Sequence, residues 1–97
     1  MPSTVTYGHE PKVVNTTSTK LLAKNSDRKY ALLVNISDEV VFIKIGNSMS
    51  ALLNEGIPVG PNRGFFEMSP HYGSLSQEDI YGVCETGGKL VLVTEAT

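Results

Sequence analysis

The segment NSDRKYALLVNISDEVVFIKIG, residues 25 to 46, sets the tightest limit on what this chain can become. Successive residues of a strand point to opposite sides of a sheet. Over 30 to 36 this puts Tyr30, Leu32, Val34 and Ile36 on one side and Ala31 and Leu33 on the other. In the next run Val41, Ile43 and Ile45 oppose Val40 and Phe42, and near the C-terminal end Leu90 and Leu92 oppose Val91 and Val93. A free-standing sandwich alternates apolar with polar so that its outer faces are wet. These strands are apolar on both sides, so each outer face needs either a cover from the same chain or a partner.

The punctuation of the remaining sequence favours short strands. Val- and Thr-rich residues 12 to 19 read as a strand, and Leu21-Leu22-Ala23 as a second strand or an edge. Runs at 29 to 35 and 40 to 45, separated by Ile36-Ser37-Asp38-Glu39, read as a hairpin. Residues 46 to 63 carry three glycines and two prolines and read as irregular, with at most one helical turn at 50 to 55. Gly64 to Met68 reads as a short aromatic strand. Residues 80 to 85 and 89 to 95 read as a last hairpin closed by Thr86-Gly87-Gly88. Regularly spaced strands of this kind predict an all-β domain, a small antiparallel β-sandwich or jelly-roll-like barrel over 11 to 97. Residues 1 to 10, MPSTVTYGHE, are polar with isolated apolar points and read as an extended N-terminal arm.

Composition removes several function classes. The 97 residues carry a net charge of −2, and the scattered basic residues form no run of the kind that neutralises phosphates, so no nucleic acid is expected as partner. The first residues show neither a cationic n-region nor a long apolar stretch, so neither a signal peptide nor a membrane helix is expected. The single Cys84, in an apolar run, reads as a buried, inert thiol. His9 and His71 lack the companions a zinc site needs, and no metal or cofactor is expected. The carboxylates Glu67, Glu78, Asp79 and Glu85 read as solvated, and Gly56-Ile57-Pro58-Val59-Gly60 lacks the amides and the following helix of a phosphate loop. No catalytic signature is present, and the chain is not expected to be an enzyme.

Candidate interface residues are apolar side chains placed where a partner could reach them. These are Val5 and Tyr7 of the arm, Leu52 and Leu53 of the long loop, Tyr72 beside His71, and Phe66. Adjacent strand residues point oppositely, so one of Phe65 and Phe66 enters the core while the other faces outward, where aromatic residues serve as anchors.

Three stretches together resemble a known family. In NSDRKYALLVNISDEVVFIKIG an Arg precedes an apolar strand ending in Asn, then a polar turn and a second strand ending in Gly. GIPVGPNRGFFEM looks like a Gly-apolar segment leading through Pro into the next strand, and IYGVCETGGKLVLVTEAT like a closing hairpin with an Ile-Tyr start and a final strand ending near a Glu. The combination, over residues 25 to 97, is similar to small β-sandwich virion proteins of tailed bacteriophages, in particular capsid decoration or cement proteins. The resemblance implies a non-enzymatic structural protein on the capsid surface of a virion, made in the host cytoplasm. It would bind the major capsid protein from outside and stabilise contacts between coat subunits, commonly as a trimer or dimer. Arg28, Asn35, Gly46, Gly56 and Pro61 would serve turns and strand ends. Alternatives are a tail or head-to-tail accessory on the same sandwich, and a carbohydrate-binding module using Tyr7, Tyr72, Tyr81 and Phe66. A cupin-like enzyme would need a metal cluster that two distant histidines do not supply.

Overall fold

The computed structural model describes residues 5–46, 51–70 and 75–97. It holds eight strands: β1 (Tyr7–Val14), β2 (Thr19–Leu22), β3 (Tyr30–Asn35), β4 (Val41–Ile45), β5 (Ile57–Val59), β6 (Gly64–Met68), β7 (Ile80–Cys84) and β8 (Lys89–Ala96). They form two four-stranded antiparallel sheets, ordered β1-β8-β3-β6 and β2-β7-β4-β5. The first strand pairs with the last, the second with the seventh, the third with the sixth and the fourth with the fifth. This is the order left when one long antiparallel ribbon is rolled up, and it defines a jelly-roll sandwich.

Consecutive strands therefore switch sheets at every step except β4 to β5. The two hairpins read from the sequence are not hairpins: β3 and β4 lie in opposite sheets, as do β7 and β8. A short polar loop serves equally well to arch from one layer to the other, and local composition does not distinguish the two uses. Gly87 and Gly88 do take positive φ, 79° and 65°, but they carry the chain across the sandwich. The irregular stretch contains β5, whose Pro58 lies opposite Phe42. Residues 52 to 55 make a turn closed by the Glu55 amide on the Leu52 carbonyl, 3.3 Å, in place of a helical turn. Nor do residues 7 to 10 form an arm. They are the first half of β1, paired throughout with β8, so the boundary expected at residue 10 falls inside a strand of the domain's own sheet.

The core is the space between the layers. Val14, Ala31, Leu33, Met68, Val91 and Val93 from the first sheet meet Leu21, Val41, Ile43, Val59, Ile80 and Cys84 from the second. On the inner face Gly82 leaves room for Leu21, which bulges out of the β2–β7 register. Each of the Val, Leu, Ile and Met side chains among these contributes roughly 1.5–3 kcal/mol on burial.

Two buried polar side chains bracket β3. Arg28 is 1% exposed. Its guanidinium donates to the Glu95 carboxylate at 2.7 Å and to the carbonyls of Ala23 (2.7 Å), Ser76 (2.9 Å) and Glu78 (3.0 Å). One residue thus ties the β2–β3 loop, the approach to β7 and strand β8. At the far end Asn35, fully buried, donates to the carbonyls of Glu39 (2.7 Å) and Val59 (3.0 Å). It also accepts from the Ser37 amide (3.0 Å) and hydroxyl (2.6 Å). The β5–β6 turn joins the same knot through the Asn62 and Arg63 amides, bonded to the carbonyls of Ser37 and Asn35. A Cβ on Gly64 would strike the Gly60 carbonyl oxygen, so that turn closes only with glycine there.

Removing the Arg28 head group strands a partly buried carboxylate and three loop carbonyls. Arg28→Met is expected to cost about 3–5 kcal/mol, the range for breaking one partner out of a buried charge pair. Urea denaturation followed by tryptophan-independent far-UV circular dichroism checks it, since the chain has no Trp.

Candidate functional site: an uncovered apolar sheet face

The two outer faces are treated differently. On the second sheet Ala51 is tied to the residue that precedes β2. The Ala51 amide bonds Ser18 Oγ at 2.9 Å, and the β2–β7 register, carried one residue back, sets Ser18 opposite Val83. Val83 points outward from β7 yet is only 2% exposed, and Ala51 is buried above it. Leu53 from the same segment flanks a shallow cleft with Val40 and Phe42. This face is covered in part by the chain itself, with Val83 buried and Phe42 and Tyr81 half-buried.

Nothing among the described residues seals the first sheet. Its register lines up Pro11, Leu92, Val34 and Phe65 in one row across all four strands. Val13 and Leu90 form the adjoining row, which Ile36 continues just beyond β3. Phe65 is 65% exposed, Val13 51%, Leu92 and Ile36 41% and Leu90 37%. The four-strand row contains no ionisable side chain, while Arg63 lies beside Ile36 at the end of the second. Exposed apolar residues scattered singly are ordinary, but this band runs across neighbouring strands, the pattern of an interaction surface. Its upper border turns polar. The His9 ring nitrogen Nδ1 is hydrogen-bonded to Thr94 Oγ1 at 2.9 Å, Tyr7 stacks on His9, and the Tyr30 hydroxyl donates to Glu67 at 2.5 Å.

The expected interface residues are not gathered in one place. Tyr7 lies on the first sheet's outer side, beyond His9, and with Val5 it is exposed. Leu52 and Leu53 are exposed on the segment that covers the other sheet. Phe66 packs against the core, and Phe65 is the outward member of the pair, because Phe66 lies opposite buried Leu33 and Phe65 opposite Val34. Tyr72 and His71 lie outside the described residues. Of the residues that form the band, Leu90 and Leu92 were marked in the sequence by apolar character on both strand faces and Phe65 as one of an aromatic pair with one outward member, whereas Val13 was marked only as part of a Val- and Thr-rich strand. Tyr81 is half-buried under the Lys20 ammonium, 5.7 Å from its ring, so the described aromatic residues proposed for sugar stacking are dispersed.

Polar chemistry concentrates at the loop end. Lys89 Nζ contacts Asp38 at 2.7 Å, and the Thr86 hydroxyl and amide donate to Glu39 at 2.7 and 2.8 Å. The Lys89 hydrogen bond and charge hold the Asp38 carboxyl below its usual range, and the Thr86 hydrogen bonds do the same for Glu39. Asp38 in turn raises Lys89. Cys84, fully buried, has its thiol pushed up by desolvation, with Sγ 3.3 Å from the Val14 carbonyl. Among the described residues no three His, Cys, Asp or Glu side chains converge as a metal site, and no helix is long and apolar enough to cross a membrane.

No protein-family model, curated protein or solved structure matches the chain.

The lowered Asp38 and Glu39 values fix a sign. Their stabilisation is present above the ordinary carboxylate range and is lost as pH falls through the lower folded values. The raised Lys89 acts oppositely, contributing below the ordinary lysine range and losing effect as pH rises through its folded value. Calorimetric melting across the acid range should show a shallower fall for Asp38→Asn and Glu39→Gln than for the parent. The difference should shrink in high salt because both pairs are exposed.

Proposed function

We propose that the protein is a non-enzymatic structural component of a phage virion, docking on the outside of the capsid through the outer face of the β1-β8-β3-β6 sheet. The observation that carries this reading is the uncovered apolar band, whose central row spans four strands without a charge. The jelly-roll topology, used by many viral shell proteins, and the three-part likeness to decoration proteins support the major capsid protein as its partner. A flat sheet face suits a broad shell surface better than a small ligand, for which pockets are concave. Repetition over the shell multiplies a modest single-site affinity by avidity.

Purified protein mixed with undecorated, expanded capsids should decorate them in cryo-electron micrographs. Leu92→Glu, which places a charge in the centre of the band, should lower occupancy at least tenfold while leaving the melting temperature nearly unchanged. Bare capsids at saturating protein would overturn the reading, and label confined to the tail in immunogold images would move the protein to a tail accessory.

A further inference from the structure

Each sheet ends in two edge strands, whose outward N–H and C=O groups can template further pairing unless something blocks them. The hydrogen-bond parity of each edge follows from the register. Thr6 and Thr97 exchange both amide bonds at 2.9 Å. Alternation from that pair turns the backbone groups of Tyr7, His9, Pro11 and Val13 away from β8, toward the free edge of β1. Pro11 therefore sits where its missing N–H would have faced outward. The Gly46 amide bonds the Asp79 carbonyl at 3.0 Å, and the same counting along β4 aims the ring nitrogen of Pro58 out of the β5 edge. Strand β2 is four residues long and interrupted by a register shift. Three edges are blunted by the devices that natural sheets use against edge pairing.

Strand β6 carries none of them. Carrying the alternation from β1 through β8 and β3 leaves Gly64, Phe66 and Met68 bonded inward and turns the N–H and C=O of Phe65 and Glu67 to the open edge. The one charged side chain on this strand, Glu67, is drawn back onto its own sheet by the Tyr30 hydroxyl.

We propose that the β6 edge is a homodimer interface, in which β6 of a second copy pairs antiparallel about a two-fold axis and continues the sheet across both subunits. The outward groups fix the register. Phe65 of one copy exchanges main-chain hydrogen bonds with Glu67 of the other, and the two Phe66 residues meet at the axis. That register sets each Glu67 opposite a phenylalanine and not opposite its own copy, so no like charges face each other across the seam. The two Phe66 rings fall in the closely spaced, non-hydrogen-bonded pair, where aromatic cross-strand contacts are favourable. The interface is isologous and self-limiting: once the two β6 edges are used, only blunted edges remain, and growth into a fibre stops. It leaves the apolar outer face free, so it stands independently of capsid docking.

Sedimentation equilibrium on the full chain over a wide concentration range tests this. The expected result is a monomer–dimer equilibrium that Glu67→Pro shifts to monomer, weakening the dimer at least tenfold. Proline at 67 removes an outward N–H, as at positions 11 and 58, together with the carboxylate that accepts from the Tyr30 hydroxyl, while the β3–β6 main-chain bonds survive. Hydrogen exchange of the unaltered protein gives a readout that does not depend on the variant folding, since the Phe65 and Glu67 amides should gain protection as concentration rises. A monomer at millimolar concentration, a trimer, amides at 65 and 67 whose exchange ignores concentration, or a dimer broken by Leu92→Glu but not by a folded Glu67→Pro would each overturn it.

Discussion

The Arg28 guanidinium is the interaction on which the rest of this sandwich depends. Two sheets of four short strands have open ends, and the loops that cross those ends point carbonyl groups toward an apolar interior. Arg28 is long enough to reach three of these carbonyls and the Glu95 carboxylate from one buried position. Four of the five donors on its planar head meet these acceptors. Asn35 does the same at the opposite end of the same strand, with both its donors and its acceptor engaged. Strand β3 is central in its sheet, so fixing both its ends fixes the arches that leave it and, through Val59 and Glu95, the strands those arches reach.

Much of this was legible before any coordinates. The alternation in 30 to 36 sets Ala31 and Leu33 on one side and Leu32, Val34 and Ile36 on the other, and the structure shows that the first pair faces inward. The segments at 29 to 35, 40 to 45, 64 to 68, 80 to 85 and 89 to 95 were also legible as strands, to within a residue of their ends. Partnership was not. Ile36-Ser37-Asp38-Glu39 and Thr86-Gly87-Gly88 have hairpin chemistry, yet each carries the chain between layers, because pairing in a jelly roll is decided by distant strands. Strand β5 was hidden by Pro58, which reads as a breaker until its nitrogen is seen to face an edge. The surface band was half visible. Single strands showed two apolar sides, but only the cross-strand register reveals that Pro11, Leu92, Val34 and Phe65 share a row.

The two layers answer the problem of a second apolar face in different ways. One is covered in part from within, where Ala51 is tied to Ser18. The other stays open, with no charge in its central row and with its polar groups displaced to the border formed by Tyr7, His9, Thr94 and Glu67. A chain that covers part of one face itself and leaves the other bare has a surface suited to exchange, with burial completed by another molecule. The ionic contacts lie elsewhere, at the Asp38, Glu39, Thr86 and Lys89 loop end, where they steady the arches and leave the band's central row neutral.

The pairing of β1 with β8 also governs how the molecule is made. His9 meets Thr94 at a sequence separation of 85, and among the described residues β4 with β5 is the one pair of consecutive strands that lie side by side. On a ribosome the first strand emerges long before its neighbour exists, and it waits as an unpaired, partly apolar ribbon until nearly the whole chain has been synthesised. Closure of that layer is a late, non-local event with a large loop-closure cost, so slow maturation and a need for shielding during synthesis follow from topology alone.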